Sequence, residues 1–304
     1  MKALILSDIH VDEHFCRAVK PSRLSLIEEP KADVVFDTLD YLWRQYDVPE
    51  TDAIIAPGDL ANDFLTFGRI VEWLAINYVE AYIVPGNHDL VVDGASLSRS
   101  NSQFTTSEEK LEAMSAACAG YSNVHFLNGD IVNGVAGCMG MTDFLCGTPL
   151  VGDERLRRWR KWFDGKHWRY MEQDPDRISE YYAGLLLKMC AERPKVVVTH
   201  FAPYEVGVNQ KFATSDSNVM FYFNAEKCMD LLGDKTIWAC GHIHDKKDAT
   251  YHNSEGNEIR ILCNPLGYPG ENTNTADVLI YPKHEGHLIR KNEVRNMSDY
   301  VIEL

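Results

Sequence analysis

The run Ala81-Tyr82-Ile83-Val84-Pro85-Gly86-Asn87-His88-Asp89 begins apolar, stops at a Pro-Gly turn, and passes straight to three polar side chains able to carry metal or proton chemistry. So abrupt a change places a chemical group at the end of a buried strand. The same event occurs four more times in the chain. Lys2–Leu6 leads into Ser7-Asp8-Ile9-His10, and Thr51–Ala56 leads into Pro57-Gly58-Asp59. Lys195–Thr199 ends at His200, and Thr236–Cys240 ends at Gly241-His242-Ile243-His244. On extended backbone, side chains two apart share a face, so Asp8 and His10 are expected to converge, as are His242 and His244.

Between these runs the apolar spacing turns helical. Helices are expected over Asp33–Tyr46, over Phe67–Tyr78 with Asp63 as its cap, and over Ser107–Ala119, Ile178–Ala191 and Ala225–Leu232. A strand, helix, strand, helix, strand progression implies a parallel sheet with its first three polar motifs along one edge. Ser96–Thr106 reads as a loop. Val124–Leu127 and Ile131–Met141, separated by Asn128-Gly129-Asp130, read as a hairpin. Ile259–Cys263 is a further strand ending at Asn264-Pro265, and Val278–Tyr281 and Gly286–Arg290 are expected as closing strands. Asp12 and His14 fall on an expected loop where coordination is open but solvent exposure is the expectation, and Asp143 is read in the same way.

Residues 153–170 hold seven Lys or Arg against three Asp or Glu, a local charge of +4, interleaved with Trp159, Trp162, Trp168 and Tyr170. Two readings stand. One is an exposed amphipathic helix whose tryptophans dock on the body. The other is a cap that uses arginines and aromatic faces to hold a phosphate and a ring.

The 304 residues are read as a single domain, 1–304, with a cap or insertion at about 143–192. The composition, 45% hydrophobic and 25% charged, is that of a soluble globular protein, without an apolar run near the ~20 residues that cross a bilayer. The apolar start is too short for a signal peptide, so a cytoplasmic location is expected. Eight cysteines are scattered without CxxC pairs, against both a zinc ribbon and a disulfide scaffold. A net charge of −15 argues against wrapping an extended nucleic acid, whose phosphates are held mainly by Lys and Arg.

In open α/β sheets ligands bind at the carboxyl ends of strands, and five such ends deliver Asp8, His10, Asp59, Asn87, His88, His200, His242 and His244. That is too many donors for one tetrahedral structural zinc. It suits two divalent ions with mixed nitrogen and oxygen ligands, of the Mn, Fe, Zn or Ni type, better than all-oxygen magnesium or calcium sites. Manganese is the expected ion in vitro. Two ions roughly 3.5–4 Å apart clamp a phosphoryl group and lower the pKa of a bridging water, so that a bridging hydroxide is the expected nucleophile.

The series Asp8-Ile9-His10, Gly58-Asp59, Gly86-Asn87-His88-Asp89, His200 and Gly241-His242-Ile243-His244 resembles the calcineurin-like metallophosphoesterase superfamily, in order, over residues 8–244. The resemblance implies an α/β fold, a β-sandwich of mixed sheets flanked by helices in four αββα layers. It also implies that Asp8, His10 and His244 hold one metal, that Asp59 bridges, and that Asn87, His200 and His242 hold the second. His88 becomes the general acid or phosphate stabiliser, with Asp89 orienting it from behind. Gly58-Asp59-Leu60-Ala61-Asn62-Asp63 departs from the GDxVDRG of the protein phosphatase branch, and the acidic balance disfavours the repair-nuclease branch. GNHD and the Asn264-Pro265 that follows GHxH resemble small phosphodiesterase and phosphatase-like members, including cyclic-nucleotide phosphodiesterases. A small phosphodiester or phosphomonoester, possibly a nucleotide, is the expected substrate. A protein phosphatase, a nuclease or a non-catalytic metal-binding scaffold of the same fold is the alternative.

Overall fold

Side chains two apart on a strand share a face, and the central strands of this chain fill both faces with apolar groups. A chain with that pattern must cover its sheets on both sides. The computed structural model describes residues 1–18, 32–92, 101–170, 174–209, 212, 214–271 and 296–304. Its first sheet runs β13 (Val301–Glu303), β1 (Lys2–Ile5), β2 (Ala53–Pro57), β3 (Glu80–Val84), β4 (Val124–Phe126), parallel except for β13. The second runs β11 (Lys247–His252), β12 (Glu258–Cys263), β10 (Thr236–Cys240), β7 (Val196–Thr199), β6 (Val135–Cys138), β5 (Asp130–Val132). Both of its edge strands are antiparallel to their neighbours. A short parallel pair, β8 (Ala202–Pro203) and β9 (Tyr222–Phe223), stands apart.

The alternation sorts the layers. Ala3, Ile5, Ala53, Ile55, Tyr82 and Val84 of the first sheet form one buried cluster with Val196, Val198, Ala239 and Leu262 of the second. Their neighbours Leu4, Ile54, Ala56, Ile83, Val197 and Trp238 belong to a separate cluster shared with the helices. On the first sheet's outer side, α1 (Val11–Ala18) packs on α2 (Ala32–Gln45), α2 on α3 (Phe64–Asn77), and α3 and α4 (Ser107–Ala119) on the strands. On the other side α7 (Pro175–Ala191) packs on β6 and α8 (Glu226–Met229) on α7, while α5 (Gly152–Trp159) and α6 (Phe163–His167) precede α7, with α6 held to Asn87 and His88 at the end of β3. The result is the expected helix-flanked sandwich of two mixed sheets.

Local chemistry explains the helix starts. Asp63 accepts the Thr66 N–H at the head of α3, Thr106 and Glu109 form a reciprocal capping box on α4, and Asp174 with Pro175 opens α7.

Several expectations need correction. Val124–Leu127 does not pair with the strand after it. It joins β3 in the first sheet, and the hairpin is β5 with β6 in the second, so the chain crosses between sheets at Asn128-Gly129. The 153–170 segment is two short helices, not one. Asp12 and His14 lie on α1: His14 is buried with Nε2–H on the Gly267 carbonyl at 3.1 Å, and Asp12 accepts the N–H of Asn62 at 2.8 Å. Asp143 is half-buried and accepts the N–H groups of Leu145 and Asn224. The strands expected at Val278–Tyr281 and Gly286–Arg290, and the first part of the Ser96–Thr106 loop, lie outside the described residues.

Candidate metal centre

The carboxyl ends of β1, β2, β3, β7 and β10 meet at one edge of the sandwich. The backbone does not stay extended there. Asp8, His10, Asp59, His242 and His244 all have left-handed φ, at 52°, 44°, 57°, 70° and 48°. Non-glycine residues rarely adopt such angles, and they persist where surrounding contacts over-determine them. The Asp8 and His10 side chains therefore converge through left-handed turns and not along an extended strand. The histidines at 242 and 244 part company.

Two groups of donor atoms result, each within 4.8 Å of one another: Asp8, His10 and His244, then Asp59, His200 and His242. Asn87 joins the second, with Oδ1 2.7 Å from His200 Nε2 and 3.0 Å from His242 Nδ1. Asp59 lies between the groups, its Oδ2 3.7 Å from His10 Nε2 and 3.4 Å from His200 Nε2.

The glycines of two turns allow this approach. A Cβ on Gly86 would sit 2.1 Å from Asp59 Oδ1, and one on Gly58, at φ +79°, would sit 2.7 Å from His200 Nδ1.

Tracing the protons tests the second group for a cation. His200 Nδ1 lies 2.8 Å from the Pro57 carbonyl, an acceptor only, so it carries the hydrogen and Nε2 keeps its lone pair. His242 Nε2 faces the Met220 carbonyl at 3.4 Å, which leaves the lone pair on Nδ1. The Asn87 Nδ2 donates to Asp164 Oδ1 at 2.7 Å, which turns Asn87 Oδ1 inward. Three acceptors thus face one another at 2.7–3.2 Å with every donor already committed. Such a set is repulsive unless a cation sits among it, and a divalent ion fits.

In the first group, His244 donates Nδ1–H to Glu271 at 2.8 Å and aims Nε2 at Asp8 Oδ1, 3.4 Å away, and at His10 Nε2, 3.2 Å away. Electrostatics agree. Burial, and then neighbouring histidine charge, hold His10 and His242 well below the ordinary histidine value, which keeps their imidazoles neutral. Burial, with Asp8 and Asp89 close by, holds the Asp59 carboxyl well above its ordinary value. Burial would lower His244, but its bonds to Asp8 and Glu271 outweigh that and push it up to about 10. A bound cation displaces such a proton.

His88 stands beside both groups. Its N–H donates to Asp59 Oδ1 at 2.8 Å, its Nδ1–H donates to Asn62 Oδ1 at 2.9 Å, and its Nε2 accepts from the Tyr268 hydroxyl at 3.2 Å. Phe163 stacks on the ring at 4.3 Å. Burial, followed by the charges of His200 and His244, pushes His88 down to about 3.

Asp89 does not orient this ring. Its carboxylate accepts the backbone N–H groups of Asp59, Leu60, Ala61 and Gly86 at 2.8–3.0 Å, tying the β2 turn to the β3 turn. Asn62 is what the His88 ring bonds, and the buried Lys110 ammonium anchors Asn62 by donating to its carbonyl at 2.7 Å.

Sequence reasoning passed over Asn62, Asp164, Glu271 and Tyr268. Asn62 was signalled as the polar residue three places after Asp59. Tyr268 follows the Asn264-Pro265 already singled out. Asp164 and Glu271 left no local signal. Asp164 is buried, its carboxyl pushed up to about 7 by that burial, and the Trp168 indole N–H donates to the Asn87 carbonyl at 2.8 Å. The 153–170 segment therefore grips Asn87 by both side chain and backbone.

The calcineurin-like phosphoesterase family model matches residues 1–246. Among solved structures the chain is similar to a phosphopantetheinyl hydrolase from Mycobacterium tuberculosis, with a TM-score of 0.60 and 15% identity over 94% of this chain and 98% of that one. A dimetal phosphatase from Danio rerio aligns at a TM-score of 0.38 and 11% identity, over 87% of each chain. A metallophosphoesterase from Sphaerobacter thermophilus aligns at 0.29 and 14%, over 90% of this chain and 80% of that one. No curated protein matches.

Proposed function

Because the chain belongs to the calcineurin-like phosphoesterase family, we propose that it hydrolyses a small phosphodiester or phosphomonoester with two divalent cations. Asp8, His10 and His244 hold one ion, Asn87, His200 and His242 hold the other, and Asp59 serves both. The convergence of His200 Nε2, His242 Nδ1 and Asn87 Oδ1, all acceptors, carries this reading. The bound ions supply Lewis acidity and an activated water.

The chain's own groups do the rest. Asn62 fixes the His88 ring through Nδ1, which directs Nε2 into the cavity. A phosphoryl anion there favours the imidazolium, so substrate binding itself charges the group that donates to the leaving oxygen. Phe163 and Tyr268 hold that ring against rotation and limit the water around it. We further propose that residues 1–304 act as one catalytic domain, that the segment at about 143–192 is its cap, and that a cytoplasmic location suits the buried free thiols.

The test is turnover of bis(4-nitrophenyl) phosphate and 4-nitrophenyl phosphate with added Mn²⁺, alongside metal content. A phosphopantetheinyl ester, the group named for the Mycobacterium tuberculosis hydrolase, belongs in the panel. The native protein should bind two ions and turn over at least one ester. His88→Ala should keep both ions and lose about 10²–10⁴-fold in kcat. Loss of an ion in His88→Ala would overturn its role as a non-ligand. Two bound ions with no hydrolysis of any ester would overturn the enzyme reading.

A further inference from the structure

A cavity of about 810 Å³ opens over both donor groups, lined by six Phe, Tyr and Trp side chains together with the neutral polar Ser215, Ser217 and Asn218. Phe163, stacked on His88 at 4.3 Å, and Tyr268, bonded to His88 and 4.8 Å from the His244 ring, form one wall. Phe221, whose ring is 5.0 Å from His242, and Trp162, edge-on to Phe221 at 5.6 Å, form the other. Phe212 and Tyr222 extend the lining.

No lysine or arginine lines the cavity among the described residues, and its charged members besides histidine are Glu13 and Asp59. Four of the five arginines of the 153–170 segment are engaged elsewhere: Arg155 pairs with Asp176, Arg157 with Glu154, and Arg158 donates to the Asp216 carbonyl and Arg169 to the Lys166 carbonyl. From this segment Trp162 and Phe163 line the cavity, and none of its lysines or arginines does.

Resting on the phosphoesterase reading, we propose that the cavity selects a monoanionic phosphodiester bearing a planar aromatic group, with Trp162 and Phe221 as the residues that determine this specificity. The physical grounds are threefold. A phosphoryl group held at the two donor groups has an apolar wall on its His88 side and another on its His242 side, which suits two ester substituents. A cavity of this volume accommodates a ligand of nucleotide size. Among the described residues a second phosphate or a carboxylate would find no cation on these walls and would face Glu13 and Asp59 instead, whereas a flat ring gains stacking and edge contacts.

The test compares two diesters with the same leaving group, methyl 4-nitrophenyl phosphate and 2-naphthylmethyl 4-nitrophenyl phosphate, on the Mn²⁺-loaded protein. The naphthyl ester should have about tenfold or higher kcat/KM, expressed in KM, and the ratio should fall to about threefold or less in Trp162→Ala and in Phe221→Ala. A native ratio near unity overturns the proposal, as does a ratio that survives both substitutions. A binding arm separates this from failure of the enzyme reading. Calorimetry with 2-naphthylmethyl methylphosphonate and methyl methylphosphonate requires no turnover. If neither diester is hydrolysed but the naphthyl phosphonate binds more tightly, and loses that advantage in Trp162→Ala, the cavity assignment stands while the hydrolase reading falls. Equal binding of the two phosphonates sinks the cavity assignment whatever the turnover.

Discussion

At the residue scale, Asn87 shows how much of a candidate ligand is decided by what stands behind it. An amide presents either an acceptor or a donor, and only a fixed partner chooses between them. Asp164 makes the choice by accepting from Nδ2 at 2.7 Å, which leaves Oδ1 for His200 and His242. Asp164→Ala should therefore free the amide to turn and weaken Mn²⁺ at that group by about 10–100-fold, read by calorimetric titration. Asp164→Asn keeps an acceptor for Asn87 and should restore most of the affinity. Equal affinity in the alanine variant and the native protein would remove Asp164 from this role. The contrast marks what a sequence can show. Asp8, His10, Asp59, Asn87, His88, His200, His242 and His244 were legible because each closes an apolar strand. Asp164 was not legible: it lies 77 residues from Asn87, in a segment whose sequence advertises charge and tryptophan. Asp89 was misread for a related reason, since a carboxylate next to a histidine in sequence looks like its partner, whereas the strand end aims it at four backbone N–H groups.

At the element scale, the turns after the strands matter more than the strands. β2 and β3 run in parallel register from Ala53 with Glu80 to Pro57 with Val84, so their turns emerge side by side and must cross. They can cross because Gly58 and Gly86 carry no Cβ. Gly86→Ala would drive a methyl into the Asp59 carboxylate, 2.1 Å from Oδ1, without removing any donor. It should cost the protein bound metal and turnover as heavily as Asp59→Asn, with metal content and kcat as the readouts. A fully loaded, active Gly86→Ala protein would show that the turns shift freely. The glycines could be read from the chain, but the left-handed φ of Asp8, His10, Asp59, His242 and His244 could not, because nothing in a side chain's identity announces an angle that the surrounding turns impose. The β4 to β5 crossing failed for a parallel reason. Asn128-Gly129 marks a change of direction, and which sheet each side joins is settled by distant partners, β3 for β4 and β7 for the β5–β6 hairpin.

At the scale of the whole molecule, the donor groups sit where the two sheets come together. Asp8, His10, Asp59 and Asn87 leave the first sheet, and His200, His242 and His244 leave the second. Each group draws on both: Asp8 and His10 with His244 in one, Asp59 and Asn87 with His200 and His242 in the other. A cation in either group therefore fastens one sheet to the other at an edge otherwise crowded with buried carboxylates and acceptor lone pairs, while the aliphatic layer of Ile5, Ile55, Val84, Val196 and Val198 holds the sheets together farther in. An ion bound only by the folded chain stabilises it by about 2.7 kcal/mol per site at a hundred times its Kd, and each kcal/mol moves the melting temperature by roughly 1.5–2 °C in a chain of 304 residues. Stripping the metals with a chelator should lower Tm by about 5 °C or more, and Mn²⁺ should restore it. His88→Ala should show the full effect, since its ring lies beside the groups and not within them. His200→Ala, which breaks one group and leaves the other, should show roughly half. A melting temperature unchanged by complete metal removal would mean that the apolar interior alone joins the sheets, and the picture of two cross-sheet clamps would have to be given up.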